Sequence, residues 1–166
     1  EGTYIGFGTM DRLDGMEWIK WMIDKIGEDA QILLHGNSMG GATVCMMSGL
    51  KLPPQVKGIV SDCAFTSAKD VFTHVLHSMY HLPAFPMIQI ADKLNKRNAG
   101  YGLDECNAAR EVRKSEVPFL FIHGEKDTRT ALRRKRNSLS KMRATARAIT
   151  KIQKPMKEPW IHLSEE

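Results

Sequence analysis

The chain has no apolar run approaching the roughly 18 residues that a membrane-spanning helix needs, and its first residues lack the basic-then-apolar order of a secretory signal. A soluble chain is expected from both absences, with the cytoplasm as its compartment. The opening residue is Glu1 rather than Met, so an upstream segment is expected to be missing. Cysteine is scarce: Cys45, Cys63 and Cys106 are widely spaced, and the missing C-x-x-C pairing argues against zinc or a redox dithiol. Reduced, structural thiols are the reading; the rival is a thiol nucleophile, but none of the three sits on a recognisable turn beside a histidine. No internal repeat or low-complexity tract interrupts the first 128 residues.

Positive charge is also lacking over most of the chain. Residues 1–128 hold 13 Lys and Arg against 16 Asp and Glu, whereas residues 129–166 hold 11 against 3, so the formal net charge of +5 belongs entirely to the end of the sequence. Contact with nucleic acid or an anionic surface would therefore fall to that basic tail alone. The 166 residues suffice for one modest core and leave no room for a second full domain.

What is present alternates between two periodicities. Leu13, Met16, Ile19, Met22, Ile23 and Ile26 recur at helical spacing after a loop containing Gly2, Gly6 and Gly8, with Thr9 or Asp11 available as N-cap and Gly27 as the stop. Gln31 to His35 reads as a short strand, Met39 to about Leu50 as a helix, Val56 to Asp62 as a second strand, and Ser67 begins another helix. Val117 to His123 reads as a third strand. Near-continuous apolar strands alternating with helices imply an α/β fold with a mostly parallel sheet covered by helices on both faces. Three strands are few for such a sheet, so further strands are expected beyond them. Residues 72–104 form a helical insert rich in Met, His, Phe and Pro, which fits either a lid over a pocket or a pair of connecting helices. From Thr128 onward the cations crowd together, few residues are apolar, and no strand is discernible, so the tail at 129–166 is expected to build no core.

The chemistry concentrates in Gly36-Asn37-Ser38-Met39-Gly40. This G-x-S-x-G pattern is a nucleophile elbow when a strand leads into it and a helix follows, because the tight turn then pushes the central hydroxyl clear of the backbone. By chance such a pattern arises in about one chain of this length in twenty, so its placement between Ile32-Leu33-Leu34-His35 and a helical stretch carries the argument. Small residues two before and two after the serine are expected as a steric requirement, with Gly41 and Ala42 extending the smallness. Ser38 would be the nucleophile, and the Met39 N–H at the helix start one oxyanion donor. The alternatives are a plain glycine-rich turn, or a phosphate-binding loop lacking its lysine.

Leu34 to Thr43 resembles the elbow of α/β-hydrolases of the serine-aminopeptidase-like and acyl-esterase branch. Val60-Ser61-Asp62-Cys63-Ala64-Phe65-Thr66-Ser67 resembles the strand and turn that follow in that group, and Phe119 to Asp127 resembles its acid-bearing strand end. The resemblance covers residues 1 to about 128, with residues 72–104 as the lid-like insert. It implies a serine hydrolase acting on a small ester or amide without a cofactor, with Asp127 as the triad acid. Asp62 competes for that role from a neighbouring strand end, unless it caps its own turn through Thr66 or Ser67.

The same resemblance defines what is absent. The base should follow the acid, yet the sole histidine after Asp127 is His162, which lacks the small residue that usually precedes a catalytic histidine. His74, His77 and His81 lie in the insert, and His35 and His123 end strands. No His-Gly loop supplying a second oxyanion donor precedes Gly2. A chain truncated at both ends is expected, its reading frame shifted near Thr128. The rival function is a non-catalytic remnant whose basic tail binds nucleic acid or an anionic surface, and the neutral alternative is a solvated extension.

Overall fold

The computed structural model describes residues 5–124 and the backbone of a strand at residues 148–153. Helix α1 (Asp11–Ile26) leads to strand β1 (Ile32–Asn37), helix α2 (Met39–Met47) and strand β2 (Val56–Asp62). Helices α3 (Ala68–Met79), α4 (Ala84–Ala99) and α5 (Ala108–Val112) follow, then strands β3 (Phe119–Gly124) and β4 (Ala148–Gln153). The four strands pair in sequence order and all run parallel. This is the α/β class expected, with a parallel sheet.

β4 corrects the expectation that the basic tail holds no strand. Its Ala-Ile-Thr-Lys-Ile-Gln sets one cation, Lys151, among apolar residues, which hides the pattern, but its backbone pairs with β3 from Phe119↔Ala148 to Gly124↔Gln153.

Each crossover steps to the next strand in the same direction. Right-handed connections then set their helices on one face, and α2 packs on β1, β2, α1 and α5 there. The core lies between: Ile19, Ala42, Cys45, Met46, Ile59, Val112, Phe119 and Phe121 are buried together. The registers Leu34↔Ile59 and Ile59↔Phe119 put these inward residues in one row. Burying Met46 fully contributes about 1.5–3 kcal/mol. On the opposite face Leu33 is 63% exposed and His35 is exposed too. None of α1, α2 and α5 covers that side, so helices on both faces are not found among the described residues. His35 sits within β1 rather than ending it.

Gly27 does stop α1, at φ 116°, its N–H donating to Ile23 O. Neither Thr9 nor Asp11 caps it: the N-cap is Met10, Thr9 pairs with Cys106 at 2.8 Å, and the Asp11 carboxylate accepts from Gly8 N at 2.6 Å. Thr9 is drawn off by Cys106, distant in sequence, and Asp11 by the loop before the helix. The insert is helical as expected, α3 packing on α4 over a second cluster of Ala68, Ile88, Tyr101, Leu103 and Cys106. Phe7 joins the two clusters, its ring edge-on to Phe72 at 5.2 Å.

Candidate active site

β1 and α2 are separated by one residue, Ser38, and the chain reverses on it. Its φ of 51° and ψ of −110° lie where an L-residue is strained, at a cost on the order of 1–3 kcal/mol. Two backbone bonds hold that geometry: the Ser38 N–H donates to Asp62 O at 2.8 Å, and Ser38 O accepts from Ala42 N at 3.1 Å. The first ties the elbow to the end of β2, and the second starts α2. Ser38 is exposed, and its hydroxyl makes no capping bond to its own helix. The Met39 N–H beside it belongs to the first turn of α2, where amides have no intrahelical acceptor and the dipole favours negative charge. Met39 itself is exposed, and Thr43 Oγ1 donates to its carbonyl at 3.0 Å.

The glycines share the steric work differently from the sequence expectation. A Cβ on Gly36 would lie 2.1 Å from Gly40 O and 2.3 Å from Gly40 C, and one on Gly41 would lie 2.9 Å from Asp62 O. A Cβ on Gly40 would meet nothing within 4 Å. Gly36 and Gly41 are therefore the positions that must stay small. Gly40 is free because the helix turns its Cα away from both strands.

Asp62 lies at the carboxyl end of β2, beside the elbow through its backbone. It does not cap the following turn through Thr66 or Ser67, since both hydroxyls are taken by Asp70: Thr66 Oγ1 donates to Asp70 Oδ2 at 3.3 Å, and Ser67 Oγ accepts from Asp70 N at 3.2 Å. Cys63, the next residue, has φ 47°, and its N–H donates to Ile122 O at 2.9 Å. Thus the ends of β1, β2 and β3 are laced together around Ser38. Sequence reading missed these backbone links, for no side-chain pattern signals a parallel register. Asp127 follows the end of β3 by three positions, and it and His162 lie outside the described residues.

Thiol nucleophiles are excluded at two of the three cysteines. Cys45 is fully buried, and burial pushes its thiol up to about 12 despite a hydrogen bond to Ser61. Burial also raises Cys106, against a smaller opposing effect of its bond to Thr9. Both stay protonated near neutral pH and act as core residues. No group of His, Cys, Asp or Glu that could hold a metal occurs among the described residues, and no described helix is long and apolar enough to cross a membrane.

Residues 7–158 match the prolyl oligopeptidase family, and the chain belongs to it. The matched range runs past Thr128 through β4, which speaks against a change of reading frame at Thr128. Uncharacterized protein YqkD of Bacillus subtilis is 28% identical over 126 residues, 76% of this chain and 41% of YqkD. Among solved structures, the Pyrococcus furiosus esterase Pf2001 superposes with a TM-score of 0.63 at 16% identity, covering 91% of this chain and 55% of the esterase. A lipase-esterase related protein of Clostridium acetobutylicum gives 0.60 at 16% identity over 92% and 68% of the two chains. An acylaminoacyl peptidase of Pyrococcus horikoshii gives 0.58 at 14% identity over 89% and 23%. The fold is that of α/β-hydrolases, and the chain spans about half the length, or less, of YqkD and the Pf2001 esterase.

Proposed function

We propose that the chain is a serine hydrolase that cleaves a carboxylic ester, or an amide, through an acyl-enzyme on Ser38. The observation that carries the reading is the backbone of Ser38, an exposed serine held at φ 51° and ψ −110° at the start of a buried helix. Strain of that kind persists only where surrounding structure enforces it, and the Asp62 carbonyl and Gly36 provide the enforcement. The structural likeness to an esterase, a lipase-esterase related protein and an acylaminoacyl peptidase supports the ester and amide range.

In this reading the Ser38 hydroxyl adds to the substrate carbonyl while its proton passes to an imidazole, assigned to His162. The Met39 N–H receives the developing oxyanion. Asp127 orients the imidazole and stabilises its charged form, and the leaving alcohol or amine departs with the proton. Water then repeats the sequence on the acyl group, and no cofactor enters. The proposed compartment is the cytoplasm, where the buried thiols of Cys45 and Cys106 persist in reduced form.

A fluorophosphonate probe tests the proposal. Covalent labelling of the chain that vanishes in Ser38→Ala supports it, whereas a folded chain that takes no label refutes it. Labelling unchanged in His162→Ala would remove that histidine from the mechanism, since losing the base costs several orders of magnitude. No labelling together with salt-sensitive retention on DNA would favour the rival reading, in which the tail at 129–166 is the functional part.

A further inference from the structure

The helical insert shows apolar side chains to solvent on a scale its own packing does not require. From Val71 to Ala91 the sequence holds no Lys, Arg, Asp or Glu, in a chain where those residues make up 26%. The turn between α3 and α4 is the tip of this uncharged stretch. There Met79 is 69% exposed, Tyr80 63%, Leu82 41% and Phe85 72%.

α4 has two apolar sides, and one of them is accounted for. Ile88 is buried in the insert's cluster, Asp92 Oδ1 accepts from Leu103 N at 2.7 Å, and Asn95 Nδ2 donates to Tyr101 O at 2.7 Å, so positions 88, 92 and 95 face inward. The other side carries Met87, Ile90 and Leu94, all exposed and spaced to form one stripe running down from the tip. Charge returns only at its lower end. Lys96 pairs with Asp92 at 3.0 Å, while Lys93 and Arg97, exposed and adjoining Ile90 and Leu94 on the helical wheel, pair with no carboxylate among the described residues.

We propose that the α3–α4 hairpin docks on an anionic lipid surface, with Met79, Tyr80, Leu82 and Phe85 entering the acyl boundary and Lys93 and Arg97 meeting the headgroups. An uncharged tip can leave water without desolvating an ion, and tyrosine suits a boundary with one wet side. Unpaired cations placed behind an apolar edge complement anionic headgroups. The exposed polar residues beside the tip, His77, Ser78 and His81, include no carboxylate that would repel an anionic surface. The proposal does not depend on the chemistry assigned to Ser38.

Flotation of the full chain with vesicles tests it, using phosphatidylcholine alone and phosphatidylcholine with about 30% phosphatidylglycerol. The chain should float with the anionic vesicles, and Ser38→Ala should float equally. Phe85→Asp and Met79→Asp should each lower partitioning about ten-fold or more. Lys93→Gln and Arg97→Gln should each lower it about five-fold on anionic vesicles alone. Ile26→Asp, at an exposed apolar position on α1, should change nothing. Circular dichroism confirms that each variant is folded. Failure of the folded wild type to float, or flotation indifferent to the tip variants, overturns the proposal. So does a concentration-dependent dimer that Phe85→Asp dissociates, since the tip would then be an interface between copies.

Discussion

Adding one methyl group at Gly36 and one at Gly40 should drive the protein in opposite directions. At Gly36 the new carbon would lie 2.1 Å from Gly40 O, 2.3 Å from Gly40 C and 2.6 Å from Gly41 N. All three are backbone atoms of the next element, so no side chain can swing aside. Relief requires α2 to move off β1, and α2 carries buried Ala42, Cys45 and Met46 in the main core. Overpacking costs about 1–3 kcal/mol where neighbours can adjust, so Gly36→Ala should cost about 3 kcal/mol or more. At Gly40 the methyl enters open space on a helical residue, where replacing glycine by alanine gains about 0.5–1 kcal/mol. Urea unfolding followed by circular dichroism separates the two. With slopes of about 1–3 kcal/mol per molar, Gly36→Ala should lower the midpoint by about 1 M or more, and Gly40→Ala should raise it slightly. Equal midpoints, or a Gly40→Ala protein less stable than Gly36→Ala, would refute the packing argument for the elbow.

Ser38→Gly should release the strain at φ 51°, raise stability by about 1 kcal/mol after the entropic cost of glycine, and abolish fluorophosphonate labelling; a destabilised variant would show that the angle is not strained. Ser67→Ala removes the side chain that accepts from Asp70 N at the start of α3 and should cost about 1 kcal/mol in thermal or urea unfolding. Between pH 9 and about 12 the unfolded chain gives up the Cys45 proton while the folded chain keeps it. The unfolded state then binds fewer protons, so stability falls as pH rises through that window, by about 1.4 kcal/mol per unit from this group. Cys45→Ala should unfold in urea with a visibly shallower dependence on alkaline pH, and identical slopes would mean the thiol is not buried in solution.

The elbow was legible because its requirements are local. A strand, a glycine, a serine and a helix within about ten residues specify a turn whatever surrounds them, and β2 fell on the residues expected, Val56 to Asp62. β4 was not legible, because a strand bearing Lys151 and flanked by cations carries no apolar alternation, and its place is set by pairing with β3. Thr9 and Asp11 failed as caps for the same reason: each had a partner outside the helix, in Cys106 and Gly8. Nor does spacing distinguish Gly36 and Gly41 from Gly40. All three are glycines of one turn, and only the approach of the first turn of α2 to Gly36 and of β2 to Gly41 shows which of them face backbone.

By itself, then, the sequence determined the class of fold and the place of the sharp turn at Ser38, because composition and short-range periodicity act along the chain. Tertiary structure alone decided that Leu33 and His35 stand exposed on β1, that the Asp62 carbonyl braces Ser38, and that the insert turns Phe85 and its neighbours outward. Those depend on which strand lies beside which and on the common hand of the crossovers, relations between distant residues that no local pattern encodes.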